Sequence, residues 1–186
     1  PFYDKGEPLI TYEESGVDNC IDPFFWEEGD KKYLFWGSFK GIYVTELTDD
    51  GMSVKKDTDG KAIFQQQVAG KAFEATCIYK KGNYYYLFAS VGSCCEGANS
   101  TYRVVVGRSA DLLGPYVNKN GGKMLDNQYE LVLQGNSLWA GPGHNSQIVL
   151  DDAGTEWMIY HSYRKNDPDL GRLLMLDRLQ MDGHIF

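Results

Sequence analysis

Apolar and aromatic positions along the chain fall in short runs: Tyr33 to Trp36, Gly41 to Leu47, Tyr84 to Ser90, Thr101 to Val106, Gln147 to Leu150, Trp157 to Ser162 and Arg172 to Leu176. Clusters of Gly, Asn and Asp separate them. Such runs bounded by turn residues read as β-strands. No stretch of about a dozen residues carries apolar side chains at the three- and four-residue spacing of a helix buried on one face. The pattern predicts an all-β fold.

Three segments repeat one design: IDPFFWEEGDKKYLFWGSF from Ile21, FEATCIYKKGNYYYLFASV from Phe73 and GHNSQIVLDDAGTEWMIYHSY from Gly143. Each has a polar residue at its head (Asp22, Glu74, His144), an apolar strand, a turn with Gly (Gly29, Gly82, Gly154) and an aromatic strand ending in Ser38, Ser90 or Ser162. The intervals between the heads suit four-stranded blades of a β-propeller, the second interval carrying a loop insertion. Three repeats do not close a ring of the usual four to eight blades, so part of the protein is expected outside this chain. A β-sandwich, also built from serial hairpins, stays open as the alternative.

Composition narrows the class of function. With 42% hydrophobic and 24% charged residues the chain is not wholly disordered. Its net charge of −8 argues against a partner held by nucleic-acid phosphates. No run approaches the roughly 18 to 20 uninterrupted apolar residues of a membrane span. An aromatic content of 14% suits strand cores and sugar binding alike. The chain opens at Pro1 and stops at Phe186, just after the turn-like Asp182-Gly183, which reads as a fragment or a processed piece. The cysteines, Cys20, Cys77, Cys94 and Cys95, show no CxxC pair and no zinc spacing. Adjacent residues bridge only with strain, so all four are expected as free thiols.

In a propeller the innermost strands line a central channel, so polar residues at the heads of those strands point into one funnel. Asp22, Glu74 and His144 would then converge. Two carboxylates around one pocket is what glycoside hydrolysis needs, one arriving protonated while the other stays ionised. The plainer reading is of strand-end polar groups satisfied by backbone amides.

The stretch Asn19-Cys20-Ile21-Asp22-Pro23, followed by Leu34-Phe35-Trp36-Gly37-Ser38-Phe39, resembles the Asp-bearing second blade of glycoside hydrolase family 43, and most closely its endo-acting arabinanases. Gly92-Ser93-Cys94-Cys95-Glu96-Gly97, Ser100-Thr101-Tyr102, Gly107-Arg108-Ser109 and Gly114-Pro115-Tyr116 resemble the blade after the catalytic Glu. Gly141-Pro142-Gly143-His144-Asn145-Ser146 is similar to the metal-site blade. The resemblance runs from about Asn19 to about Gly183. It implies a five-bladed β-propeller seen without its first blade, residues 1–186 being part of a single catalytic domain and roughly its blades two to five.

The implied activity is hydrolysis of α-1,5-linked L-arabinofuranose chains, the plant cell-wall polysaccharide arabinan, with inversion at the anomeric carbon. Carried over by position, Glu74 is the general acid and Asp22 the carboxylate that raises its pKa and holds it in place. His144 corresponds to a histidine that binds a metal, usually calcium, in a shell of water. Asn19, Ser38 and Tyr102 stand where the sugar would be touched, and Phe39 is a stacking platform. The general base, an Asp on the first blade, is expected upstream of Pro1, since Asp4 and Asp18 lack its motif. Inversion sets its carboxyl about 6.5 to 9.5 Å from that of the acid. Trp139 is a candidate cleft wall, and Arg108 and Arg172 are candidate partners for carboxylates. An exo-acting α-L-arabinofuranosidase or β-xylosidase of the same family and a non-catalytic carbohydrate-binding propeller are the alternatives. Substrate size implies work outside the cytoplasm, extracellular or periplasmic.

Overall fold

The design written three times in the sequence folds as three antiparallel hairpins, each extended into a four-stranded sheet, in a computed structural model that describes residues 3–181. The first sheet holds β1 (Phe24–Glu28), β2 (Lys31–Trp36), β3 (Ile42–Glu46) and β4 (Gln65–Ala69) in that order. The second repeats the order with β5 (Glu74–Lys81), β6 (Tyr84–Val91), β7 (Arg103–Ser109) and β8 (Glu130–Leu133). In the third, β9 (Trp139–Gly143) and β10 (Val149–Leu150) both pair with β11 (Glu156–Arg164), whose other edge carries β12 (Leu173–Arg178). Thus β9 and β10 are the two ends of one interrupted inner strand. A one-turn helix, α1 (Tyr12–Ser15), precedes the first sheet, capped by the Thr11 side chain. The turn-like Asp182-Gly183 lies outside the described residues.

The three turn glycines of the repeat, Gly29, Gly82 and Gly154, all take positive φ (61°, 59° and 76°), which is why glycine recurs there. Strand order within each sheet follows the chain, and strands are not exchanged between sheets. That is the order of propeller blades, and it argues against the sandwich alternative.

Side-chain alternation explains how the sheets stack. On β6, Tyr85, Leu87, Ala89 and Val91 pack toward the first sheet, with Phe35, Ile42, Val44, Ile78 and Val105. Tyr86 and Phe88 of the same strand join Cys77, Val104, Val106, Met158 and Tyr160 toward the third. The middle sheet is therefore covered on both faces, and β6 and β7 read as nearly continuous apolar runs. The far face of the first sheet, with Leu34 and Trp36, is covered by Val17 and Ile10. The far face of the third sheet is open: Met175 packs inward, while Leu174 and Leu176 are 82% and 58% exposed.

Every predicted strand is present, with shifted ends. The run expected from Thr101 begins at Arg103 because Thr101 and Tyr102 turn back to bond Ser93. Outer strands β4 (QQQVA) and β8 (ELVL) carried too little apolar pattern to be read in advance.

Leu87 is fully buried between the first two sheets. Leu87→Ala is expected to lower unfolding stability by about 3 kcal/mol, measured by denaturant titration, because the seam relaxes only partly around the cavity.

Candidate active site

The heads of the three inner strands lie at one end of the sheets, and the backbone there is unusual. Asp22 (φ 56°), Ala75 beside Glu74 (φ 56°) and His144 (φ 50°) all adopt left-handed conformations. Asn19 (φ 63°) and Phe39 (φ 52°) do the same, leaving Asn127 as the remaining non-glycine residue of that kind among those described. Each such residue costs on the order of 1 to 3 kcal/mol, and such strain gathers where a functional geometry demands it.

Glu74 is 9% exposed, its carboxylate turned into the seam between sheets. Ser38 Oγ donates to Glu74 Oε2 at 2.7 Å and the Tyr102 hydroxyl to Oε1 at 2.5 Å. Asp22 Oδ2 accepts the Ala75 amide at 3.0 Å, which ties the first carboxylate to the backbone next to the second. The other oxygen, Oδ1, stands 4.0 Å from His144 Nε2. Residues from three sheets thus meet at one place. Asn19 Nδ2 donates to the Ser38 carbonyl at 3.0 Å, bracing the residue that touches Glu74.

Ser38 and Tyr102 are each 1% exposed, so both face Glu74 and the interior, whereas Asn19 and Phe39 are at the surface. Phe39 is 38% exposed, with its amide bonded to the Phe73 carbonyl at 2.9 Å. Burial first, then the Glu74 carboxylate, pushes the Tyr102 phenol far above its ordinary pKa, so it remains a proton donor at any working pH. Trp139 begins β9 opposite Arg164, Arg108 lies over the Tyr84 ring at 4.2 Å, and Arg172 is exposed near His161.

Tyr102 and Ser100 pack directly against β9 at the positions where that strand carries glycine. A Cβ on Gly143 would lie 2.0 Å from Tyr102 Cδ1, and one on Gly141 would lie 2.5 Å from Ser100 Cβ. This is the physical content of the Gly141-Pro142-Gly143 motif. The loop before Tyr102 corrects the expectation of free thiols: Cys94 and Cys95 form a disulfide across 3.8 Å between Cα atoms, and only Cys20 and Cys77 are free. Bends at residues 94 to 96 bring the adjacent side chains onto one side. Cys77 is inert, its thiol pushed up to about 12 by burial.

A cleft of about 410 Å³ opens beside the carboxylates, bordered by Asp22, Ala75, Thr76, His144 and Asn145. Glu74 is not part of that wall. Two buried oxygens at its border, Thr76 Oγ1 and Asn145 Oδ1, have no protein partner, and neither do the two ring nitrogens of His161. These are the only such atoms among the described residues, where buried polar groups are normally paired. His161 stacks on the Tyr102 ring (5.8 Å between centroids) and lies 6.4 Å from His144. Burial, reinforced by Arg172 and His144, lowers its pKa to about 4, against the pull of Glu74. No group of three or more His, Cys, Asp and Glu able to hold a metal occurs among the described residues. His144, Asp22 and the two orphaned oxygens border one cleft, and three of these four donors are oxygens, the type a hard cation prefers.

The repeat had pointed to Asp22, Glu74 and His144, and the structure brings all three together. The repeat singled out neither His161 nor Thr76, Asn145 entered only with the motif around His144, and the disulfide was not expected. The recurrent serines were visible in the sequence, but their purpose was not. Ser38 bonds the head residue of the next sheet, and Ser90 Oγ likewise accepts the His144 amide at 2.9 Å.

The sequence matches the family described as Glycosyl hydrolases family 43 over residues 1–186. It is 35% identical to the extracellular exo-α-(1→5)-L-arabinofuranosidase of Cellvibrio japonicus over 97% of this chain and 54% of that protein. It is 34% identical to an extracellular endo-α-(1→5)-L-arabinanase of Bacillus subtilis over 93% of this chain and 52% of that protein. The chain therefore spans about half the length of these relatives. Among solved structures, the exo-1,5-α-L-arabinanase from a bovine ruminal metagenomic library matches with a TM-score of 0.78 and 31% identity, over 89% of this chain and 55% of that one. The Cellvibrio cellulosa α-L-arabinanase complexed with arabinohexaose matches at 0.75 and 32%, over 89% and 55%.

Two outcomes are expected. Gly143→Ala drives a methyl group into the Tyr102 ring and lowers the thermal midpoint, at a cost of about 1 to 3 kcal/mol. His161 is held neutral in the fold, so the unfolded chain takes up its proton below about pH 6.5 while the folded one does so only near 4. Stability falls as pH drops through that window, and His161→Phe flattens the dependence in a series of melting curves.

Proposed function

Since the chain belongs to glycosyl hydrolases family 43, we propose that it forms part of an enzyme hydrolysing α-1,5-linked L-arabinofuranose chains with inversion, Glu74 being the general acid and Asp22 its modulator. The observation that carries this reading is the meeting of Asp22, Glu74 and His144 from three successive sheets. Both side chains bonded to Glu74 are hydroxyls, not cations. A hydroxyl can accept as well as donate, so the carboxyl can carry its proton to the leaving oxygen and recover it without losing its contacts. Asp22, fixed to the Ala75 amide, holds a second carboxylate at a set place beside it.

The base that activates water is assigned to an aspartate outside residues 1–186, on a first blade of a five-bladed ring. One fact supports that part of the proposal: the chain spans about half of its relatives. The open Leu174 and Leu176 face of the third sheet leaves room for a further sheet beyond it. Asn19 and the exposed ring of Phe39 are placed along the sugar path, with Ser38 and Tyr102 acting on it through Glu74. A calcium ion at His144, its shell completed by water and the Thr76 and Asn145 oxygens, belongs to the same proposal. When bound it would add positive charge near Asp22. Site and substrate together imply an extracellular enzyme, as the names of the relatives state for those proteins. No helix among the described residues is long and apolar enough to cross a membrane.

Exo and endo action stay as two forms of one proposal, because relatives named for each are almost equally similar, at 35% and 34% identity. The test is the product profile of the intact protein on linear arabinan, beside Glu74→Gln. A ladder of oligosaccharides is expected, with the rate falling about 10²- to 10⁴-fold in the variant. Arabinose alone would select the exo form. An absence of products from both arabinan and xylan would overturn the hydrolase reading.

A further inference from the structure

Glu74 owes its second hydrogen bond to a residue that closes an unusual loop. The β6–β7 pairing ends at Val91 and Arg103, and residues 92 to 102 connect them at the end where Glu74 pairs with Ser90. This connection is tied to itself. The Tyr102 amide donates to the Ser93 carbonyl (3.1 Å), and the Ser93 and Thr101 hydroxyls bond each other and each other's backbone amides. Ser100 Oγ donates to the Cys94 carbonyl (3.2 Å) and accepts the Glu96 amide (2.9 Å). The Cys94–Cys95 disulfide covalently fixes the very peptide whose carbonyl accepts from Ser100, two residues before Tyr102. The path from sulfur to carboxylate is continuous: disulfide, Cys94 carbonyl, Ser100, Tyr102, Glu74.

We propose that the Cys94–Cys95 disulfide is a positioning element for the acid, holding Tyr102 so that its hydroxyl stays on Glu74. The inference deepens the proposed function and rests on it for the role of Glu74. An eight-membered ring between adjacent residues removes freedom from a single turn, in contrast to a bridge that staples distant parts of the fold. Its effect is therefore local, on the loop and on the residue the loop delivers. Cys95 is exposed, so the bridge is open to reagents without unfolding.

A double-mutant cycle on the intact protein tests this. Cys94→Ser with Cys95→Ser is expected to lower kcat about 10- to 100-fold with little change in KM, the size of loss that a small misplacement of a catalytic group produces, and to displace the pH profile of kcat/KM. Tyr102→Phe, which removes the hydroxyl and keeps the ring over His161, should cause a similar loss. Combined, the serine pair should add almost nothing to Tyr102→Phe, because both break the same link. Additive losses, or a serine pair with wild-type kcat and pH profile, would overturn the proposal.

Amide hydrogen exchange in residues 92 to 102 gives an answer independent of catalysis. Protection should drop in the serine pair, and unchanged protection would equally overturn the proposal. A protein inactive on arabinan would sink the hydrolase reading while leaving that exchange result to decide whether the disulfide holds Tyr102. Should the serine pair fail to fold, the folded protein reduced by a dithiol supplies the comparison. The dithiol then closes to a disulfide as Cys94 and Cys95 each take up a proton and become thiols.

Discussion

A buried hydroxyl crossing from one sheet to the head of the next is the interaction on which the site depends. Ser38 leaves the end of β2 and reaches Glu74 at the start of β5, and Ser90 leaves the end of β6 and receives the amide of His144 just after β9. Both serines are at most 1% exposed, so neither bond competes with water and each would leave a costly unpaired group if broken. Apolar packing presses the sheets together but tolerates sliding. A directional bond at the inner end removes that freedom where the chemistry is placed. The third serine, Ser162, is equally buried and bonds the Ala140 carbonyl of its own sheet, so the same position serves within a sheet where it does not serve between two.

Much of this was legible in the sequence because the repeat is a pattern of residue types. The turn glycines, the aromatic second strands and the three head residues could be aligned by eye, and the structure puts each where that alignment requires. Outer strands β4 and β8 escaped because an edge strand buries too little to need a regular apolar alternation. The disulfide escaped for another reason. Adjacent cysteines look unfavourable when judged on an extended chain, and only the bends at residues 94 to 96 bring the two sulfurs to one side. His161 gave no signal because it belongs to an aromatic strand, and nothing local marks a ring that will stack on a tyrosine from another sheet.

The site also shows a division of labour between satisfied and unsatisfied polar groups. Both oxygens of Glu74 accept hydroxyls, and Asp22 Oδ2 accepts an amide. The orphaned atoms of Thr76, Asn145 and His161 lie close by, two of these residues at the edge of the cleft. Buried polar groups without partners are costly, and their concentration at one place in an otherwise paired interior marks that place as one the fold does not complete by itself.

The left-handed backbone at Asp22, Ala75 and His144 bears on how this protein can vary. In that region a branched β-carbon meets the backbone whatever the surroundings, so valine, isoleucine and threonine are excluded from all three positions before any question of reactivity arises. Asparagine and aspartate enter such a conformation more easily than most residues. The alphabet open to drift at these positions is therefore small, and it is set by torsion angles as much as by chemistry. A descendant of this chain that lost its activity would keep short polar or small residues there for as long as it kept the fold.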